Sequence, residues 1–364
     1  MKIAQVAPLI ESVPPKLYGG TERIASYLTE ELVAQGHDVT LFASGDSVTA
    51  ANLIPCCDVA LRSDPNVRDP LPYYMMMIDK VRRLASRFDV IHFHIDQFQF
   101  PLFRSIADKT ITTLHGRQDL PDLQLLYRAF PEMPLISISD SQRAPIPYAN
   151  FAATIYHGIP QELYQPTFNP RGGYLAFIGR ISPEKRLDRA IEIARAVGFP
   201  LKVAAKVDAV DVEYFEQVIK PLLQGDDIQF IGEIGDCDKA KFLGEASALL
   251  FPIDWPEPFG MVMIEAMACG TPILAFDRGS VREVIDEGVT GFVVEDVQSA
   301  IAALPRVLAL DRVRVRQQFD ERFTAASMAM NYVDIYARAF AETDRALVPV
   351  RGDDVAIGQE TLVN

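Results

Sequence analysis

The sequence predicts an α/β protein built from two Rossmann-like parallel-sheet domains, and three observations carry that expectation. At 364 residues the chain is long enough for two separate cores. Short apolar runs of strand length alternate with segments whose apolar residues recur every three or four positions, the signature of strand–helix–strand units and parallel sheets. The alternation stops in a break rich in Pro, Asn and Gly at residues 165–173 and then begins again.

Residues 2–7 read as the first strand, closed by Pro8. The loop after it carries Pro14-Pro15 and Tyr18-Gly19-Gly20, and a helical pattern runs from Thr21, the expected N-cap, to Gly36. Residues 39–43 form the next strand, so the opening is a strand–helix–strand unit with a Gly-Gly loop at its ligand end. The chain lacks GxGxxG, which excludes the dinucleotide fingerprint. Strands recur at 90–94, 110–114, 135–139 and 154–156, making residues 1–165 one domain.

The second domain, expected over 171–322, restarts with a strand at 174–178. Gly179-Arg180-Ile181-Ser182-Pro183-Glu184-Lys185-Arg186 is the loop that follows, with Ser182 as N-cap and Pro183 at the first helical position. Strands follow near 201–205, 228–231, 248–251, 273–276 and 291–294. Residues 311–342 look helical, with a final helix over 323–342, and residues 343–364 form a polar, peripheral tail.

A net charge of −14 argues against nucleic acid as a partner. The four cysteines show no CxxC pair and no zinc spacing, which fits reduced thiols in a cytoplasmic protein. Pro8 and Glu11 interrupt the first apolar run, so no signal peptide is expected, and no run reaches membrane-spanning length.

The chemistry concentrates in residues 247–292. An apolar strand leads through Trp255-Pro256-Glu257-Pro258 into Phe259-Gly260-Met261-Val262, which opens a helix ending before Cys269-Gly270-Thr271-Pro272. Free N–H groups and the dipole at such a helix start attract a phosphate. Two carboxylates, Glu257 and Glu265, frame that end. A carboxylate beside a phosphate site needs a reason, and vicinal sugar hydroxyls supply one, since a carboxylate accepts two O–H bonds.

Glu257, seven intervening residues and Glu265, within Glu-Pro-Phe-Gly-Met-Val-Met-Ile-Glu-Ala-Met-Ala-Cys-Gly-Thr-Pro, resemble the donor-site motif of family-4 retaining glycosyltransferases. The resemblance spans residues 1–342 and is strongest over 174–292. It implies the GT-B architecture, two Rossmann-like domains facing a cleft, with the last helix crossing back onto the first domain. It also implies a hexosyltransferase that uses a nucleoside diphosphate sugar, a UDP- or GDP-sugar foremost, as co-substrate, with no further cofactor and no metal.

Residue by residue, the resemblance assigns Arg180 and Lys185 to the diphosphate, with Arg186 standing where a Gly is usual. Gly19, Gly20 and the N–H groups of Phe259, Gly260, Met261 and Val262 join them. Glu257 takes the sugar hydroxyls, Glu265 the ribose, and His115 the sugar from the opposite wall. Gly232 and Ile234 take the base through the backbone, and Ala205-Lys206 replaces a common Gly. The acceptor (a glycan, a lipid-linked group or a small molecule) is set by loops 19–23, 94–99 and 116–120.

Other clusters have plainer readings. His92 and His94 lie on one face of a strand without a third metal ligand, pointing to packing or acceptor lining. His157-Gly158 stands where Asn-Gly is usual, and His157 reads as a strand end. Asp236-Cys237-Asp238 matches an Asp-x-Asp metal pattern, but a helix start with first-turn acids explains it. Lys80, Arg82, Arg83 and Arg87 form a basic helix face, which leaves peripheral membrane contact open. A phosphorylase of the same architecture and a silent nucleotide-sugar-binding subunit remain as alternatives, and the oligomeric state is unread.

Overall fold

The computed structural model describes residues 1–17 and 19–346, so Tyr18 and most of the expected tail, 347–364, lie outside the described residues. Two sheets form the frame. The first contains β1 (Lys2–Val6), β2 (Asp38–Ser44), β3 (Asn52–Cys57), β4 (Val90–Phe93), β5 (Thr110–Thr113), β6 (Leu135–Ser137) and β7 (Phe151–Thr154), in the order β3-β2-β1-β4-β5-β6-β7. The second contains β8 (Leu175–Arg180), β9 (Leu201–Lys206), β10 (Ile228–Gly232), β11 (Ala248–Phe251), β12 (Ile273–Phe276) and β13 (Gly291–Val294), in the order β10-β9-β8-β11-β12-β13. Every pairing is parallel.

Helices cover both faces of such sheets, so central strands read as unbroken apolar runs. In β11 and β12 all eight residues are buried. Strand order reverses between β1 and β4 in the first sheet and between β8 and β11 in the second. Ligands of open α/β sheets gather beyond the C-terminal strand ends at such points. This is the two-domain GT-B arrangement.

Several local expectations are corrected. β3 is an additional strand. Pro55 disguises it in the sequence and is tolerated because β3 is an edge strand. The seventh strand is Phe151–Thr154, not 154–156: beyond it the Tyr156 hydroxyl donates to Glu283 of the second domain and His157 lines the cleft. Thr21 lies inside the first helix, Gly20–Ala34, whose N-cap is Gly19. Ser182 caps a turn rather than a helix: the Lys185 N–H returns to its carbonyl, Arg186 takes φ 53°, and only then does the helix Leu187–Ala196 begin. The last helical stretch splits into Arg312–Arg322 and Ala325–Ala346.

The split has a structural cause. Residues 323–325 pair with Ile159: the Ile159 N–H donates to the Phe323 carbonyl and the Ala325 N–H to the Ile159 carbonyl. The two chain crossings between domains therefore run side by side. Gly158 allows the approach, since a Cβ there would stand 2.2 Å from the Thr324 carbonyl oxygen. Beyond it, the helix Ala325–Ala346 packs on the first domain, with Tyr332 and Tyr336 fully buried. Among the described residues no helix is long and apolar enough to cross a membrane.

Candidate active site

Between the domains lies a cleft of 510 Å³, joined along its floor to a smaller recess of 190 Å³. The strand ends of both sheets open into it. After β1, the Gly19-Gly20 turn lines both cavities. Gly19 is fixed as glycine by φ 150° and by Pro15, which a Cβ would touch at 2.8 Å. A Cβ on Gly20 would meet nothing within 4 Å, so its backbone faces open space.

Arg180 ends β8 and reaches both cavities. Three carboxylates of its own domain surround it: Asp211 at 3.5 Å, Glu184 at 3.7 Å and Asp208 at 3.9 Å. Lys185 follows in the turn. Its Nζ meets the Glu257 Oε2 at 2.5 Å and stands 4.9 Å from the Trp255 ring centroid and 5.7 Å from that of Phe251. The Trp255 indole N–H donates to the same carboxylate oxygen at 3.0 Å. A cation over an aromatic face and against a carboxylate is held in place before any ligand arrives.

Glu257 is 8% exposed. After it, Phe259 and Gly260 turn the chain into the helix Met261–Ala268, whose first residues line the cleft. Their N–H groups form an anion-attracting end. Glu265, one turn further, is buried and accepts from the Lys239 ammonium at 2.8 Å in the smaller recess. Ile234 and Glu233 line the same recess, just past Gly232 at the end of β10. The recess is thus flanked by a carboxylate–ammonium pair and joined to a cavity that Arg180, Lys185 and the start of the helix Met261–Ala268 line.

His115 follows β5 on the opposite wall. Its Nε2 is 2.9 Å from His94 Nδ1, and burial pushes its pKa down to about 3. The ring is therefore neutral across the physiological range. His157, read from sequence as a strand end, is instead buried against the cleft. Its ring stacks on His115 at 5.2 Å and meets Phe259 edge-on at 5.0 Å. The Asn-Gly replacement at this point was the available signal, but nothing local says that the ring turns inward.

Two profiles match this chain. The one described as "Glycosyl transferases group 1" covers residues 161–323, and "Glycosyltransferase Family 4" covers residues 18–144. Together they span both domains. The chain belongs to the family-4 glycosyltransferases.

Known proteins of similar length support that placement. A phosphatidyl-myo-inositol mannosyltransferase of Propionibacterium freudenreichii subsp. shermanii is 27% identical, over 86% of this chain and 90% of its own. The crystal structure of AviGT4, a glycosyltransferase involved in avilamycin A biosynthesis, superposes with TM-score 0.70 at 23% identity, covering 94% of this chain and 98% of that one. A sucrose-phosphate synthase from Thermosynechococcus elongatus gives TM-score 0.77 at 18% identity, over 94% and 100%. The last two likenesses establish the fold.

In this glycosyltransferase, the Asp-x-Asp-like run does not stand apart as a ligand set. The Asp236 carboxylate pairs with Arg23 of the first domain and accepts from the Tyr164 hydroxyl at 3.3 Å. Among the described residues no group of three His, Cys, Asp or Glu side chains is placed to hold a metal ion. A second bridge between domains was not anticipated. The Glu283 carboxylate accepts from the N–H groups of Asp140 and Ser141 at 2.7 and 2.8 Å and from the Tyr156 hydroxyl at 3.2 Å.

Proposed function

We propose that this enzyme moves a hexose from a nucleoside diphosphate sugar, a UDP- or GDP-sugar, to an acceptor hydroxyl, with retention and without a metal ion. One observation carries the reading. Two cations, a helix N-terminus and two carboxylates meet along a single cleft although the sequence spreads them from Arg180 to Glu265. Cations and N–H groups suit a diphosphate, and carboxylates suit diols, so the set matches a ligand with both.

In this reading the ribose lies on Glu265 and the base against Gly232 and Ile234. The diphosphate lies between Arg180, Lys185, Gly19-Gly20 and the N–H groups of residues 259–262. Glu257 and His115 hold hydroxyls of the transferred sugar from opposite sides. The acceptor hydroxyl attacks the anomeric carbon on the face the phosphate leaves, and a departing phosphate oxygen takes its proton. The bond to phosphate breaks as the new glycosidic bond forms, and negative charge grows on the diphosphate. Lys185 and Arg180 meet that charge, which is the transition-state stabilisation the step requires. They also supply the positive charge a metal would otherwise bring. Similarity to a phosphatidyl-myo-inositol mannosyltransferase over 86% of the chain favours an acceptor of the polyol or glycolipid kind.

Thermal melting with UDP, GDP, ADP, TDP and their common sugar conjugates, with and without EDTA, tests the reading. A ligand at 100 times its dissociation constant stabilises the fold by about 2.7 kcal/mol. A shift with one base, insensitive to EDTA, is the expected result. The absence of any shift with every nucleotide overturns it. The anomeric configuration of the product, read by NMR, decides retention.

A further inference from the structure

Five polar side chains from three neighbouring strands and the residue that follows β4 lie in the interior of the first domain. Gln5, His92 and Thr113 are fully buried, His94 is 2% exposed, and Thr112 is buried beside them. Buried polar groups require partners. Four of these residues and the crossover helix supply them to one another. The Gln5 amide N–H donates to the Tyr336 hydroxyl at 3.2 Å, and that hydroxyl contacts His92 Nδ1 at 2.7 Å. His92 Nε2 meets the Thr113 hydroxyl at 2.7 Å, and Thr113 meets the Tyr332 hydroxyl at 2.8 Å. On the cleft side, the Gln5 carbonyl meets His94 Nε2 at 2.8 Å, and His94 Nδ1 meets His115 Nε2 at 2.9 Å.

The direction of these bonds can be followed proton by proton. Gln5 turns its amide nitrogen to Tyr336, so its carbonyl oxygen faces His94 and requires a proton there. A neutral imidazole carries one N–H, so protonation of His94 at Nε2 leaves Nδ1 as an acceptor. The proton between the two histidines then belongs to His115 Nε2. That leaves His115 Nδ1 bare, on a residue that lines the cleft.

We infer that His94 is a positioning residue: it holds His115 in the Nε2–H tautomer, so that Nδ1 accepts a hydrogen bond from a hydroxyl of the transferred sugar. This rests on the donor reading above. The relay begins on Tyr336, which the last helix contributes from 331 residues away along the chain. Docking of that helix is thereby registered at the sugar wall of the cleft.

The first arm of the test needs no substrate. Imidazole ¹⁵N spectra of the intact protein, with His115 assigned by comparison with His115→Gln, should show a protonated Nε2 and an unprotonated Nδ1. The reverse pattern overturns the inference. The second arm compares His94→Leu, which removes the acceptor, with His94→Asn, whose carbonyl can stand near the place of Nδ1. Affinities for UDP and GDP are measured against those for UDP-glucose and GDP-mannose. His94→Leu should weaken the sugar conjugate that the native enzyme binds about tenfold, the loss of roughly one hydrogen bond, and leave the free diphosphate unchanged. His94→Asn should restore most of it. Equal losses in both variants, or equal losses for conjugate and diphosphate, would mark His94 as structural only and overturn the inference. If the native enzyme binds none of the four nucleotides, the donor reading fails, and the spectra alone decide the tautomer.

Discussion

The Lys185 ammonium and the Glu257 carboxylate are in contact across 72 positions of sequence, at 2.5 Å. One comes from the turn after β8 and the other from the loop after β11, the two strands at the switch point of the second sheet. Each orients the other across the cleft. In the proposed mechanism they serve opposite ends of one bond, Lys185 the leaving phosphate and Glu257 the sugar. Lys185→Ala should therefore lower the turnover rate by about 10²–10³. Steady-state kinetics check it, and unchanged turnover and saturation would remove the role.

Glu265 and Lys239 form the corresponding pair in the smaller recess. Glu265→Gln keeps the shape and weakens acceptance of ribose hydroxyls. Donor affinity should fall about tenfold, the weight of a charge-assisted hydrogen bond, with turnover at saturation nearly unchanged. Calorimetric titration with the free nucleoside diphosphate reads this directly, since no sugar is involved.

Arg186 takes φ 53°, in the left-handed region that favours glycine. That conformation costs a side-chain-bearing residue about 1–2 kcal/mol. Its guanidinium bonds Asp188 at 2.7 Å and Asp254 at 3.1 Å. These partly exposed pairs are worth up to about 1 kcal/mol each. Arg186→Gly removes strain and pairs together and should shift stability little. Arg186→Ala keeps the strain without the pairs, and should be the least stable of the three in urea unfolding. An alanine variant as stable as the glycine variant would refute the account.

Acid should destabilise the fold through its buried histidines. His92, His94 and His157 are held well below the ordinary imidazole range, chiefly by burial, with neighbouring histidines adding to the effect. Unfolded, they titrate near the ordinary value of about 6.5. Below that pH the unfolded chain binds protons that the folded chain refuses. Their contribution is thus complete above about pH 6.5 and is lost as pH falls, approaching about 1.4 kcal/mol per pH unit for each residue. The melting temperature measured from pH 7.5 to 5 should show this slope. His157→Phe should reduce it by one proton, because His157 Nδ1 is buried without a hydrogen-bond partner.

Asp236 is spoken for by Arg23 and Tyr164. Removing divalent ions with EDTA should leave donor turnover unchanged. Asp236→Ala, by contrast, should loosen the contact between the domains, by leaving the buried Arg23 without its carboxylate. Small-angle scattering should then report a larger radius of gyration at low salt. A variant that regains full activity with added manganese would contradict this.

Much of the fold was legible because parallel strands buried on both faces carry their signal locally, as at 248–251 and 273–276. The Glu257–Glu265 spacing was legible for a similar reason: both residues belong to one loop–helix unit. What escaped depended on partners far away in sequence. β3 hides its strand character behind Pro55, which only an edge position tolerates. Arg186 in a left-handed conformation displaced the expected N-cap at Ser182. The inward turn of His157 follows from the close packing of Gly158 on Thr324, and the histidine relay draws on residues from both ends of the chain. No window of sequence contains those relations.

The paired crossings at Ile159 and Thr324 bear on how such enzymes can be recombined. The last helix follows the second domain along the chain, yet its tyrosines complete the interior of the first. A single splice near residue 165 that joins halves of two relatives would therefore give the first domain a foreign final helix, with Gln5, His92 and Thr113 facing side chains they did not evolve beside. The exchangeable unit is discontinuous: residues 1–160 travel with 325–346, and the donor-side module is an insert between them.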